Sequence, residues 1–297
     1  MVEVPKSLSA NSIPGDMRRF GAGIDRSELT PDQLAWKGRV SQAFDRASDR
    51  YDQYAHVQRQ VANGLSHWLV ECLQGGSTKN DFEVGSALEI GCGTGFFTSL
   101  LVETFPLTHW TVTDVSPAMV ESVEKRLTGN SKLKFQVADG EYLELPKTFD
   151  LICSNLSFQW FHDLPAALPR LMQHLNPGGW LVFATLDSNN FSKVYARYPF
   201  LKPSPCSTDS LQVSLRVLED ASSIQRVHRE TIMRSFPDLR EFLVSLKRIG
   251  AGTPAKEFNR RKSELLAALR QSRDAQVDEE VDYRLLFVAA QKPPTEP

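Results

Sequence analysis

The sequence predicts one α/β domain built on an open, mostly parallel β-sheet, and two patterns support this prediction. Between residues 84 and 186, short apolar runs alternate with stretches of about ten to fifteen residues that have helical periodicity, which is the pattern of successive βαβ units. Residues 89–95, with the sequence EIGCGTG, lie between the first apolar run and the first helical stretch. A glycine-rich turn at that position either binds a ligand through its backbone or simply reverses the chain.

Polar residues follow the later apolar runs as well, and they narrow the choice of ligand. Asp114 ends the second run, about twenty residues beyond the glycines, where an acidic residue accepts hydrogen bonds from the ribose hydroxyls of a nucleoside. The runs at residues 134–140 and 149–155 also end in polar residues, and open α/β sheets bind ligands at this carboxyl edge. Glu89 suits an ammonium or sulfonium group better than a diphosphate, and the glycine spacing is tighter than in dinucleotide-binding folds.

In order and spacing, EIGCGTG, Asp114, ADG at 138–140 and FDLICSN at 149–155 resemble the motifs of class I S-adenosylmethionine (SAM) methyltransferases. The resemblance implies a Rossmann-like, mostly parallel seven-stranded sheet with helices on both faces and a helical cap. It implies SAM as the cofactor and S-adenosylhomocysteine (SAH) as the product, while Met119 either packs on the sheet or borders the adenine. The implied cofactor-binding residues are Glu89, Gly91, Cys92, Gly93, Gly95, Asp114, Val115, Ala138, Asp139, Gly140, Asn155 and Leu156.

Composition argues against several other classes of protein. A formal net charge of −2 and a pI near 6.3 give no reason to expect nucleic acid as a partner, because phosphate binding needs a basic face. No apolar run approaches the roughly 18 residues of a membrane span, and the first residues lack the apolar core of a secretory signal. The four cysteines form no C-x-x-C pair. We therefore expect a cytoplasmic protein without disulfides or a metal site.

The expected domain boundaries follow from composition and periodicity. Residues 1–37 are rich in Ser, Pro, Gly and charge. We expect them to be a flexible N-terminal extension without an assigned function, in which Thr30 and Pro31 could begin a short helix. The rest is expected to be a single methyltransferase domain at 38–290, with an N-terminal helical lid at 38–73, cap inserts at 187–223 and 237–280, and a fraying tail at 291–297.

Three further segments carry a more specific resemblance. Residues 44–51 (FDRASDRY), residues 155–160 (NLSFQW) and residues 245–251 (SLKRIGA) resemble the malonyl-acyl-carrier-protein O-methyltransferase family of biotin synthesis. That family implies methyl transfer from SAM to the free carboxylate of malonyl-acyl-carrier protein, in the pimeloyl stage of biotin biosynthesis. The carboxylate is already ionised at neutral pH. The implied catalytic residues are Tyr51, Gln159, Trp160, Lys247 and Arg248, with Lys247 as the first candidate to hold the carboxylate.

Several of these residues have a plainer interpretation. Tyr51 either lies at the edge of the core or directs its hydroxyl group toward the methionine moiety or the substrate. Gln159 and Trp160 would face the transferred methyl group and the acyl substrate. Alternatively, Trp160 and Phe161 simply pack against the following helix. An aromatic group in the first insert either holds an acyl chain or forms the core of that insert, and its members are Phe191, Tyr195, Tyr198 and Phe200.

Basic residues concentrate in the C-terminal third although the total charge is near zero. They form either a solvated surface with weak ion pairs or a docking face for an acidic carrier protein. The basic residues are Arg226, His228, Arg229, Arg234, Arg240, Lys247, Arg248, Lys256, Arg260, Arg261 and Lys262.

Two other functions are compatible with the same motifs. One is methylation of another small carboxylate or hydroxyl, and the other is an assembly-factor or hydroxylase role on this fold.

Overall fold

The computed structural model of the chain describes residues 29–74, 83–143, 145, 147–202, 208–252, 262–275 and 277–295. Its seven strands are β1 Ser86–Ile90, β2 His109–Asp114, β3 Leu133–Val137, β4 Phe149–Asn155, β5 Leu175–Leu186, β6 Ile224–Phe236 and β7 Glu279–Gln291.

The strands form a seven-stranded sheet in the order β3-β2-β1-β4-β5-β7-β6. β7 is antiparallel to both of its neighbours, and all other pairs are parallel. The predicted mostly parallel sheet is therefore confirmed. Because β1 lies between β2 and β4, the strand order reverses there, and the carboxyl ends of these strands border a crevice suited to a ligand.

Helices cover both faces of this sheet. Ala87 of β1 packs on one face of the sheet with helical residues at 57–72 and 97–101. Leu88 packs on the other face with helical residues at 164–172 and 211–218. Within the described ranges, no helix has the length and apolar character needed to cross a membrane. The helices are α1 Pro31–Tyr54, α2 His56–Gln74, α3 Phe96–Thr104, α4 Pro117–Arg126, α5 Leu164–Gln173, α6 Ser192–Arg197, α7 Thr208–Ala221, α8 Leu239–Arg248 and α9 Lys262–Asp274.

The first helix is longer than the sequence suggested. Thr30 caps α1 through a capping box with Gln33, and Pro31 occupies the first turn, an arrangement that starts helices effectively. The expected boundary of the extension at residue 37 therefore falls inside a continuous helix of 24 residues. The earlier part of that extension, residues 1–28, lies outside the described residues.

Residues 176–179, whose sequence NPGG is typical of a sharp turn between elements, lie within β5. Phe149 pairs with Leu175 and Leu151 pairs with Trp180, so the four residues of this N-P-G-G turn loop out of register without ending β5. The expected tail also begins later than residue 291. Lys292 donates to the carbonyl oxygen of Gly179 at 2.8 Å and accepts from the amide of Gly178 at 3.1 Å.

The aromatic residues of the first insert form core contacts. The Phe191 ring packs edge-to-face against Phe242 and Tyr283 at 5.2 and 4.9 Å, and Tyr198 donates to the buried carboxylate of Glu279 at 3.0 Å. These contacts favour the insert-core interpretation over an acyl-chain site. Residues 203–207 of the insert, residues 75–82 before β1, and the basic residues Lys256, Arg260 and Arg261 lie outside the described residues.

Candidate active site

The glycine-rich turn after β1 brings three chain segments together. Gly91 and Gly95 have positive φ angles of 74° and 87°, which glycine adopts without strain. A Cβ atom at Gly91 would lie 1.9 Å from Ser157 Oγ, and one at Gly95 would lie 2.4 Å from Val123 Cγ2. Gly91 therefore lets the loop after β4 approach, whereas Gly95, predicted to bind cofactor, serves the packing of α4.

Asp114 connects the glycine-rich turn to the start of α4. One carboxylate oxygen accepts the amide of Gly93 at 2.9 Å, and the other accepts the amide of Ser116 at 2.9 Å. Burial raises the pKa of Asp114 to about 6, although these hydrogen bonds oppose the shift. A carboxylate has about four acceptor positions, so Asp114 can still accept hydrogen bonds from a ligand.

Two cavities lie at this edge of the sheet. The larger, of about 660 Å³, is bordered by α1 and by the loops after β2, β3 and β4. The smaller, of about 390 Å³, lies between the α1–α2 junction and the glycine-rich turn. The residues that line both cavities mark where they meet, and these are Tyr51, Gly91, Gly93 and Asn155.

Most of the residues expected to bind cofactor line these cavities. Cys92 lines the smaller one. Glu89 and Gly95 line neither, since Glu89 is buried and Gly95 contacts Val123. Met119 both packs in the core and borders the larger cavity. The expected residues that line the larger cavity are Gly91, Gly93, Asp114, Val115, Ala138, Asp139, Gly140, Asn155 and Leu156.

Helix α1 crosses the crevice and is attached to both of its sides. On one side, Ser41 donates to the carbonyl of Val115 at 3.1 Å and Asp45 accepts from the Ser116 hydroxyl. On the other side, Lys37 forms ion pairs with Asp139 at 3.0 Å and with Glu141 at 2.5 Å. These contacts make α1 one wall of the larger cavity.

Sequence reasoning missed Lys37, because the expected boundary placed it in the extension. Its ammonium group also lies 5.3 Å from the centre of the Phe161 ring. Residues 37, 40, 44 and 51 all line the larger cavity, and they recur at the spacing of one helical face. That spacing, together with the capping box at Thr30, was the available sign that the helix begins early.

The comparisons with known proteins agree with this geometry. Residues 88–183 match the family model described as a methyltransferase domain. The malonyl-[acyl-carrier protein] O-methyltransferase of Priestia megaterium is 31% identical over 234 residues, which cover 73% of this chain and 82% of that protein. The chain belongs to the malonyl-[acyl-carrier protein] O-methyltransferase family.

Two other similar proteins extend the comparison. The biotin biosynthesis bifunctional protein BioCD of Bordetella avium is 32% identical over 78% of this chain and 48% of its own length. The crystal structure of the plantazolicin methyltransferase BpumL in complex with a triazolic desmethylPZN analog and SAH aligns with a TM-score of 0.50 and 17% identity. The alignment covers 89% of this chain and 100% of that chain. The shared fold is the class I methyltransferase fold, and this protein is a SAM-dependent methyltransferase.

Glu89 tests whether the residues of this family member fit SAM. Its side chain is buried, and its carboxyl group lies beside the Thr98 hydroxyl without a hydrogen bond of normal geometry to any described residue. Burial raises the pKa of Glu89 to about 8; the Thr98 hydroxyl opposes this shift, and the nearby Asp114 carboxylate adds to it. Since buried polar groups are normally paired, an unpaired carboxyl group beside the glycine-rich turn fits a ligand that carries an ammonium group, as SAM does.

The residues expected to act on the substrate separate into two groups. Tyr51 and Trp160 line the larger cavity, and Trp160 packs edge-to-face on Phe44 at 5.5 Å. Gln159 lines neither cavity, because its amide donates to the carbonyl of Leu156 at 2.7 Å and accepts from Thr185 at 3.3 Å. Gln159 thus fixes the loop after β4.

Lys247 and Arg248 also lie away from the cavity walls. Both are exposed at the end of α8, and Gly250, just after that helix, lies close to Phe44. The guanidinium of Arg248 lies 4.6 Å from the centre of the Tyr54 ring. The geometry therefore does not bring Lys247 to the position expected for holding a buried substrate carboxylate.

Proposed function

We propose that this protein transfers a methyl group from SAM to the free carboxylate of a malonyl thioester carried on acyl carrier protein, in the pimeloyl stage of biotin biosynthesis. The names of the relatives in Priestia megaterium and Bordetella avium support the substrate and the pathway. The observation that carries the proposal is the junction of the two cavities, where Tyr51 is directed at space shared by both.

The two cavities have different chemical characters, which suggests how they would divide the cofactor. The larger is lined by Asp114, Val115, Ala138 and Asp139, at the carboxyl ends of strands where nucleosides bind in such sheets. The smaller adjoins the glycine-rich turn and contains Arg59. We assign the nucleoside to the larger cavity and the amino-acid end to the smaller, so that the reacting centre belongs at their junction.

When bound, SAM supplies an electrophilic methyl group on a positively charged sulfur and becomes SAH. The protein need not remove a proton from the substrate, because a malonyl carboxylate is ionised at neutral pH. Its residues instead hold the carboxylate oxygen in line and exclude water. Phe44, Trp160 and Phe161 supply apolar walls for that purpose.

Tyr51 is the residue best suited to hold the carboxylate oxygen. Burial and the carboxylates of Asp114 and Asp52 raise the pKa of its phenol, so the hydroxyl stays protonated and can donate. The structure gives this hydroxyl no hydrogen bond to a described residue, which leaves its proton available to a substrate. Asn155, whose amide nitrogen donates to the carbonyl of Gln58 at 3.2 Å, fixes the neighbouring wall.

Mass spectrometry of malonyl-acyl-carrier protein after incubation with the protein and SAM tests the proposal. We expect the gain of a single methyl group on the malonyl unit. Acetyl-acyl-carrier protein, which lacks the free carboxylate, and free malonate, which lacks the carrier, should both stay unmodified. An unmodified malonyl carrier, with SAH binding still detected by calorimetry, would reject the substrate while leaving the cofactor in place.

A further inference from the structure

The smaller cavity contains a cationic side chain to which the mechanism above gives no specific partner. Among the described residues that line it, Arg59 is the one with a positive charge and Asp52 the one with a negative charge. The Asp52 carboxylate already binds the hydroxyl of Thr94 and the guanidinium of Arg126. Arg59 therefore faces this cavity without a carboxylate of its own.

We propose that Arg59 binds the α-carboxylate at the amino-acid end of the cofactor, which makes the smaller cavity a site for a zwitterionic amino-acid group. The inference rests on the cofactor assigned above and not on the methyl acceptor. Guanidinium groups bind carboxylates through two parallel hydrogen bonds. Arg59 is the one guanidinium group among the described residues that line this cavity.

Helix α3 adds a second feature suited to an anion. Gly95 precedes its first residue without a side-chain cap, and Phe96 and Phe97 of the first turn line the smaller cavity. The free amide groups of a helix N-terminus attract negative charge. An anion between Arg59 and this turn would therefore be attracted from both sides.

The opposite charge of a zwitterion has a matching partner nearby. Glu89 lies just before the same turn and lines neither cavity, but its carboxyl group can supply negative charge there. The amide oxygen of Asn155, which lines both cavities, is buried without a partner among the described residues. Both can accept from an ammonium group. Arg59 with the α3 N-terminus, and Glu89 with Asn155, thus form complementary ends of a site for an α-amino acid.

Contacts within the protein hold Arg59 in place before a ligand binds. The guanidinium donates to the backbone carbonyl of Asp52, and its centre lies 5.6 Å from the centre of the Phe96 ring. A guanidinium over an aromatic face is attracted to it. Because Asp52 is itself attached to Thr94 of the glycine-rich turn, Arg59 and the turn keep a fixed relative position.

Comparing the affinities for two ligands isolates the contribution of the carboxylate from that of the rest of the cofactor. The first is SAH, and the second is its decarboxylated analogue, which keeps the amine, the thioether and the nucleoside. We expect calorimetry to show that the wild-type protein binds SAH roughly 10- to 100-fold more tightly than the analogue, the range for a charge-assisted hydrogen bond. In Arg59→Met, that preference should fall to a few-fold at most, the part that the α3 N-terminus supplies, because only SAH loses the guanidinium partner.

The control is Arg46→Met, which removes an exposed cation from α1 and should keep the wild-type preference. The proposal is overturned if Arg59→Met keeps the full preference for SAH, or if it weakens both ligands equally. Equal binding of the two ligands by the wild-type protein would overturn it even if the variant failed to fold. None of these results depends on whether malonyl-acyl-carrier protein is the methyl acceptor, so the two proposals fail separately.

Discussion

Glu89 is suited to a cationic ligand group, but its buried carboxyl group lowers the stability of the ligand-free protein as the pH rises. Folding raises the pKa of this carboxyl group from 4.5 to about 8 through burial. Between those values the folded state holds a proton that the unfolded state releases, so this group's contribution to stability falls as the pH rises. Asp114 and the Cys92 and Cys153 thiols surround it and offer no positive charge.

A cationic ligand group should reverse that preference and favour the ionised carboxylate. We therefore expect the affinity for SAH to rise between about pH 6 and pH 8, by at most about tenfold per pH unit, with release of a proton on binding. Titration calorimetry in two buffers of different ionisation enthalpy measures both quantities. Glu89→Gln should remove the pH dependence and the proton release, and an unchanged profile in this variant would show that Glu89 does not titrate on binding.

At the scale of elements, the contribution of α1 depends on the ion pairs of Lys37. Its side chain is 13% exposed, and that of Glu141 is fully buried. Glu141 also accepts the amides of His162 and Asp163 at 2.8 and 2.7 Å, so Lys37 connects α1 to the start of α5. Removing one partner of a buried ion pair leaves the other charge uncompensated.

Lys37→Met should therefore lower the free energy of unfolding by about 3 kcal/mol, and hydrogen exchange in α1 should become faster. Urea unfolding and amide exchange measure these effects. Lys125→Met is the matched control, because Lys125 pairs with Glu121 on the surface with 74% of its side chain exposed, and such pairs contribute little. Equal stability of the two variants would show that Lys37 does not anchor α1.

The elements divide clearly into those that local sequence specifies and those that depend on tertiary contacts. Strands β1 to β4 could be predicted because each is a short apolar run ended by polar or glycine residues. Thr30 and Pro31 marked the start of α1, but its continuity with the lid at 38–73 could not be predicted, because Trp36 and Lys37 contact loops that follow much later in the chain. Residues 176–179 read as a turn, and only pairing with β4 shows that β5 continues through them.

The same division applies to the site in the whole molecule. The order of the motifs predicted where a nucleoside would bind, because parallel strands bring their carboxyl ends to one edge of the sheet. The other end of the crevice depends on the α1–α2 junction, where Arg59 lines the smaller cavity, and motif order alone did not place a side chain there. Lys247 lines neither cavity for a related reason: a motif fixes the order of residues, whereas the packing of α8 on α1 decides which side of the helix faces the crevice.

At the scale of the whole molecule, Lys247 and Arg248 matter as exposed surface charges and not as residues that line a cavity. Arg229 and Arg240 pair with Asp187 and Glu241, whereas Lys247 is exposed and has no ion pair with a described residue. An exposed cation beside α1, one wall of the cavity, can attract an acidic carrier protein from a distance.

We expect Lys247→Glu to lower kcat/KM for malonyl-acyl-carrier protein by roughly 3- to 10-fold at low salt, with a smaller effect at high salt because ions screen the interaction. The value for malonyl-pantetheine, which lacks the carrier, should stay unchanged. Arg270→Glu, an exposed charge reversal on α9, is the control. An equal loss on both substrates would place Lys247 in the chemistry instead of in docking.

The central claim is that methyl transfer occurs at the junction of the two cavities, where Tyr51 holds the carboxylate of the malonyl unit. The most direct test is the single-turnover rate of methyl transfer to malonyl-acyl-carrier protein, measured with wild-type protein and Tyr51→Phe at saturating SAM. We predict a rate about 10-fold or more lower in the variant, the cost of a lost hydrogen bond to a charged group, with the affinity for SAH unchanged. A wild-type rate in Tyr51→Phe would contradict the account.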